Sequence, residues 1–327
     1  RRLFNSIVVA LLAASFIPLL VIGGGMYYHT VSILEHKTLA ALDAEISEHR
    51  ETIDHFLTER TIDLKNLSSI LGLDFLTAPG NLKKMFDTFQ QQLPCFTDMG
   101  VIDDQGRHRA YVGPYDLLSK NYKETPWFKM IAQKDSYISD VFLGFRNEPH
   151  FIIAVKQRTN EGFWILRATV DTAYFEGIVG QVLSKRDGDA YIVNGDGIFQ
   201  TTPRWGGKIM AQAEVKYVQP FDGVRLEERG GRIIMMTWLE RVPWLCVAEF
   251  KRQDIYRPLR NVRTVGIFVF VLGAMLIVLT VILTTNYLFS RLETKRRNIR
   301  FLDHQLQHSS RIASSMHLAS GFVREIK

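Results

Sequence analysis

With 40 Lys and Arg against 34 Asp and Glu, the 327-residue chain has a formal charge of +6, yet its basic residues gather beside apolar runs and form no long tract. This excludes an extended nucleic-acid surface and fits positive charge flanking a membrane. Its two cysteines, Cys95 and Cys246, stand outside any CxxC or Cys/His cluster, which excludes a structural zinc site.

The chain opens on Arg1-Arg2 and then has no charged side chain from Leu3 to Tyr28. A lipid-crossing helix needs roughly twenty apolar residues, so residues 1–28 predict a first transmembrane helix. A cleaved signal peptide is the alternative, but the run is long for one and no A-x-A site closes it. The start at Arg1 rather than Met, and an end at Lys327 in mid-helix pattern, read as truncation.

Over residues 29–75, Leu39, Leu42, Ile46, Ile53, Phe56 and Leu67 recur at near-heptad spacing among charges. One long amphipathic helix is expected, its stripe serving the domain's own core or a twin helix. Then a local pattern occurs twice, as Val101-Ile102-Asp103-Asp104-Gln105-Gly106-Arg107 and Tyr191-Ile192-Val193-Asn194-Gly195-Asp196-Gly197-Ile198. Each joins short apolar strands through an Asp/Asn/Gly turn, which predicts two similar α+β lobes over 76–178 and 179–262. Further strands are expected at 151–157, 164–170, 233–237 and 244–250. Cys246 lies in the last of these, so a buried strand residue is its simplest role and a disulfide to Cys95 the alternative.

A second uncharged run from Thr264 to Ser290 predicts a transmembrane helix over 263–290. Arg1-Arg2 on one side and Arg291, Lys295, Arg296, Arg297 and Arg300 on the other put both ends in the cytoplasm. Arg257, Arg260 and Arg263 oppose this, although large translocated domains obey charge rules weakly. Beyond the span, Leu292, Ile299, Leu306 and Ala313 share one heptad position, and Leu302, Met316 and Val323 its partner. That is a dimeric coiled-coil seam through the signalling helix 291–308 and into 309–327.

The whole layout is α+β: two membrane helices flanking a long helix and two tandem lobes, then a cytoplasmic coiled coil. Over roughly 29–262 it resembles the double Cache family of extracellular sensor domains, whose lobes are PAS-like. Its markers are Thr125-Pro126-Trp127-Phe128, Ile138-Ser139-Asp140-Val141-Phe142 and Ala168-Thr169-Val170-Asp171. In amino-acid-binding members an Arg-x-Trp-Tyr segment, a later Tyr and an Asp hold the ligand's carboxylate and amine. Trp127 and Asp171 match. Thr125 stands at the arginine position, and Phe128 and Phe142 at the tyrosines. Threonine cannot offer the bidentate fork a carboxylate takes from arginine, so binding of free α-amino acids in the familiar way is not expected. Period-two alternation puts Arg167 on the strand face of Asp171. Arg167 is therefore a candidate cation for the ligand, with a structural salt bridge as the alternative. His150 and Lys156, on the neighbouring strand, are weaker candidates, and Trp127 can stack on ligand or pack in the core.

The stretch from Ser309 to Lys327 resembles the start of a histidine-kinase dimerisation helix with the motif Leu-Ala-Ala-Gly-Val-Ala-His-Glu-Ile-Asn. Where that family has its phosphoacceptor histidine, this chain has Arg324, whose protonated guanidinium offers no lone pair for attack on phosphorus. Glu325 matches the acidic neighbour, and His317, one heptad earlier, is a substitute acceptor or an ordinary surface residue. The chain shows no nucleotide loop, no catalytic residue set and no metal site. ATP and Mg²⁺ are expected only of a kinase domain beyond it, and no cofactor within it. The resemblance implies a homodimeric receptor in the bacterial inner membrane, with membrane lipid, a small-molecule ligand and a response regulator as partners. A chemoreceptor or a non-catalytic adaptor are the competing functions, so enzyme status stays open.

Overall fold

The computed structural model describes residues 2–92, 94–181, 187–214 and 219–324, in two units, one of residues 36–257 and one of 2–35 with 258–324. Glu325 and the side chains of His317 and Arg324 lie outside the described residues.

The smaller unit consists of the start of α1 (Arg2–Thr77) and nearly all of α6 (Arg257–Arg324). Both hold windows long and apolar enough to cross a membrane. Their side chains are bare, with Val21, Ile22 and Phe268 exposed by 68%, 68% and 69%. Water penalises such a surface and hydrocarbon does not. Within this unit, Gly266 and Gly273 of α6 face Tyr27 and Leu19 of α1, and a Cβ on Gly266 would lie 3.4 Å from the Tyr27 ring. Small residues at such a crossing let two helix backbones approach closely.

In the larger unit, α1 continues as one helix until Gly72 (φ 68°, ψ 171°) kinks it, followed by α2 (Asn81–Gln92). The first lobe's sheet comprises β1 (Phe96–Asp103), β2 (His108–Val112), β3 (Ser136–Ile138), β4 (Phe151–Thr159) and β5 (Gly162–Val170), with α3 (Pro126–Gln133) before β3. Its order is β2-β1-β5-β4-β3, antiparallel throughout. After α4 (Thr172–Gly180) the second lobe repeats the scheme. It holds β6 (Gly188–Asn194), β7 (Arg225–Arg229), β8 (Arg232–Trp238) and β9 (Trp244–Lys251), in the order β6-β9-β8-β7, and α5 (Arg252–Ile255) leads into α6. A bridge from Val193 to Phe199 sits where the first lobe has β2.

Both sheets turn one face toward α1. Met99, Val101, Ile153 and Leu166 of one lobe, and Ile192, Met235, Cys246 and Ala248 of the other, share a core with Leu42, Ile46, Ile53, Leu57 and Leu64. The α1 stripe is thus buried by the chain's own lobes, which settles part of its expected use. Cys95 and Cys246 are free and buried, so the disulfide alternative falls: one precedes β1 in the first lobe and the other lies inside β9 of the second.

One segment ties the lobes together. Asp140, just after β3, accepts from Trp244 Nε1 at 2.7 Å and from Asn194 Nδ2 at 2.9 Å. Its neighbour Val141 donates its N–H to Gln200 Oε1 at 2.7 Å.

Candidate functional site

The opposite faces of the two sheets differ in chemistry. In the second lobe that face is mostly hydrocarbon, from Tyr191, Val193, Phe199, Ala213, Ile234, Met236, Leu245 and Val247. Its two buried acids are matched: Asp189 accepts from Arg204 N and Trp205 N, and Glu249 from Tyr191 O–H and Arg232. In the first, apolar packing of Ile102, Ile152, Ala154 and Ile165 under Trp127, Phe128 and Ile131 covers only part of the sheet. Charge occupies the rest.

At its centre is Asp98, fully buried on β1. One carboxylate oxygen accepts from Arg167 Nη2 at 2.8 Å and Thr169 Oγ1 at 3.0 Å. The other accepts from Tyr111 O–H at 3.2 Å and from Arg146. Four donors saturate it. Arg146 arrives from a 3₁₀ turn (Gly144–Arg146), which the left-handed Asn147 (φ 58°) ends. Both guanidiniums are buried, at 3% and 2% side-chain exposure, against one carboxylate. One positive charge is left over.

The histidines do not add to it at neutral pH. Burial, helped by the charge of Arg167, holds His108 down to about 4. Burial also brings His150 to about 4, with Arg146 working in the same direction. His108 lies flat on the sheet because residue 100 is glycine: a Cβ there would sit 2.6 Å from Nε2.

Around the cluster several buried polar atoms have no hydrogen-bond partner: Trp127 Nε1, Tyr122 O–H, and the Nε of Arg146 and Arg167. The Tyr122 oxygen lies close to Arg167 without completing a well-shaped bond. Its ring is the hub, 5.1 Å from His108, 5.3 Å from Trp127, 5.2 Å from Phe145 and 5.4 Å beneath the Arg167 guanidinium. Leaving buried donors unmade is costly, and such clusters concentrate where something binds.

The sequence candidates divide accordingly. Trp127, Arg167 and His150 lie at this cluster; Arg167 takes the salt-bridge role, with Asp98. Phe142 flanks it, its ring tilted by 49° at 4.4 Å from His150 and its backbone paired with that of His150. Phe128 belongs to the adjoining apolar packing. Thr125 donates to Tyr122 O at 2.6 Å just before α3. Lys156 donates to Ala132 O at 2.8 Å, at the end of α3. Asp171 caps α4, accepting from Tyr174 N at 2.8 Å. Asp98, Arg146, Tyr111, Tyr122 and His108 carry the cluster without having been expected. A signal for Asp98 exists, since it shares strand parity across β1 and β5 with Thr169. Among the described residues no group of three or more His, Cys, Asp or Glu could hold a metal ion.

The lowered histidines set a pH dependence. Their folded values lie below the unfolded value of 6.5, so this stability is fully present above pH 6.5 and is lost as pH falls toward 4. Between neutral pH and pH 5 the loss at His150 is about 2 kcal/mol, and somewhat less at the more open His108. Thermal melts of wild type should fall by several degrees over that interval, and His150→Gln should flatten the slope. An unchanged slope in that variant would contradict the assignment.

No protein-family model matches the sequence, and no curated protein is similar to it. Solved structures are similar in fold. The extracellular domain of vpHK1S-Z8, assigned as a histidine kinase, superposes with a TM-score of 0.53 at 14% identity, covering 68% of this chain and 95% of that one. The ligand-binding domain of the Campylobacter jejuni chemoreceptor Tlp3, in complex with 4-methylisoleucine, gives 0.51 at 8% identity over 68% and 94%. That of the Pseudomonas aeruginosa PAO1 amino acid chemoreceptor PctB, in complex with L-Gln, gives 0.50 at 16% identity over 66% and 92%. The chain therefore has the mixed helix-and-sheet fold of the Cache-type extracellular ligand-binding domains of chemoreceptors and histidine kinases.

Proposed function

We propose that this chain is a membrane-anchored sensor, in which a small molecule outside the cell binds the first lobe and the signal passes through α6 to a cytoplasmic histidine-kinase module. The observation that carries the reading is the contrast between lobes. One sheet face is mostly hydrocarbon with its buried acids matched by donors, while the other holds two buried guanidiniums on one carboxylate beside the unpartnered donors of Trp127, Tyr122, Arg146 and Arg167. Asp140 supplies a route onward, since it holds Trp244 and Asn194 of the second lobe and lies two residues before Phe142. The second lobe leads through α5 into α6, whose apolar window suits a bilayer. The seam of Leu292, Ile299, Leu302 and Leu306, all exposed on α6, supports a homodimer as part of this reading. The similarity to chemoreceptor domains supports a second reading with the same outer half and a different cytoplasmic output.

Topology tests the proposal. Cys95 and Cys246 are buried, so single cysteines at exposed Glu161 and Asn298 report without background. A membrane-impermeant maleimide on intact cells should label Glu161→Cys, and label Asn298→Cys only after permeabilisation. The reverse pattern would exclude an external sensor.

A further inference from the structure

We propose, resting on the ligand site above, that the first lobe takes a small organic monocarboxylate carrying no ammonium group. Two buried guanidiniums face one buried carboxylate, so the site holds one surplus positive charge. An uncompensated buried charge is expensive, and a monoanion cancels it where a zwitterion does not. Hydrogen-bonding capacity points the same way. The atoms left without partners at Trp127 Nε1, Arg146 Nε and Arg167 Nε can only donate, and Tyr122 O–H can donate as well.

An ammonium group would need an acceptor inside the cluster, and Asp98, its one fully buried acid, already takes four donors. Asp171 and Glu148 stand outside it, one at the α4 terminus accepting from Tyr174 N and the other on the exposed rim accepting from Tyr115 O–H at 2.7 Å. The unpartnered His108 Nε2 lies against the backbone at Gly100. A carboxylate accepts from several N–H groups at once, and a planar guanidinium favours it. Aromatic rings of Tyr122, Trp127 and Phe145 bound the site and suit a short hydrocarbon tail. Arg146 rides on the 3₁₀ turn between exposed Leu143 and Phe145 and the left-handed Asn147, so this segment is the wall an entering ligand would displace.

The test is thermal shift and Trp fluorescence of the full chain in nanodiscs at pH 7, with acetate, propionate, lactate and benzoate as probes. Alanine, methylammonium, phosphate and succinate serve as comparisons, with sodium chloride matching ionic strength. At least one monocarboxylate should stabilise the protein saturably, with alanine at least tenfold weaker than propionate. Arg146→Met should weaken carboxylate binding at least tenfold while leaving the unliganded melting temperature equal or higher, since Asp98 keeps Arg167. A merely structural Arg146 would lower it. Trp127→Phe should weaken binding with the fold intact. If alanine or methylammonium binds best and both substitutions weaken it, the anion inference falls and the site stands. If binding is unchanged in both variants, the site itself is misplaced, and no response to any carboxylate overturns the proposal.

Discussion

Asp98→Asn should lower stability by about 3–5 kcal/mol, because it leaves two buried guanidiniums with no counter-charge. For a unit of this size that is a drop of about 10 °C in the thermal midpoint. The cost comes from the charges left behind and not from a lost contact, so it should be repairable. Adding Arg146→Met and Arg167→Met to Asp98→Asn removes those charges, and the triple variant should recover most of the loss. The combined variants form a cycle that isolates the coupling. A single variant within 1 kcal/mol of wild type would show that water or a shifted loop already screens the cluster.

Trp244→Ala should be the other large loss, about 3–5 kcal/mol for a buried indole. Trp244 is 1% exposed, with Phe151 and Phe175 rings at 5.3 Å and 6.0 Å. Phe151 belongs to the first lobe's sheet and Trp244 to the second's, so the substitution opens a cavity at the junction of the lobes. It also takes from the exposed Asp140 its 2.7 Å link to Trp244, leaving Asn194 as its partner in the second lobe. Besides the shift, the transition should broaden, with the van't Hoff enthalpy falling below the calorimetric one as the lobes begin to melt separately. Trp244→Phe keeps most of the ring contact and removes the hydrogen bond, so it should cost about 1–2 kcal/mol and keep a single transition. A single sharp transition in Trp244→Ala would mean that α1 alone couples the lobes.

Much of the architecture is legible in the residues because it follows from length and period. Twenty-six uncharged residues from Leu3 to Tyr28 leave few structures open, and period-two alternation from Ile165 onward marks β5 with its Arg167 and Thr169 face. Less legible are elements whose residues lack a buried face. β7 is exposed at all five positions and shows no alternation, being an edge strand defended by charge. In the site, Arg146 lies on a loop that no local pattern brings over the sheet; Phe142 pairing with His150 and the left-handed Asn147 do so. Asp171 shows the opposite case. An aspartate ahead of Thr-Ala-Tyr-Phe is an N-cap signal in plain view, and the local reason for the residue is the α4 terminus.

Hydrogen exchange of the full chain in nanodiscs, with and without a mixture of amino acids and short carboxylates, tests most directly whether the signal enters at the charged face of the first lobe. Added ligand should protect amides in 120–131 and 142–150 and, through Asp140, around Asn194 and Trp244. Protection confined to 189–213 and 233–247, with the first lobe unchanged, would contradict it.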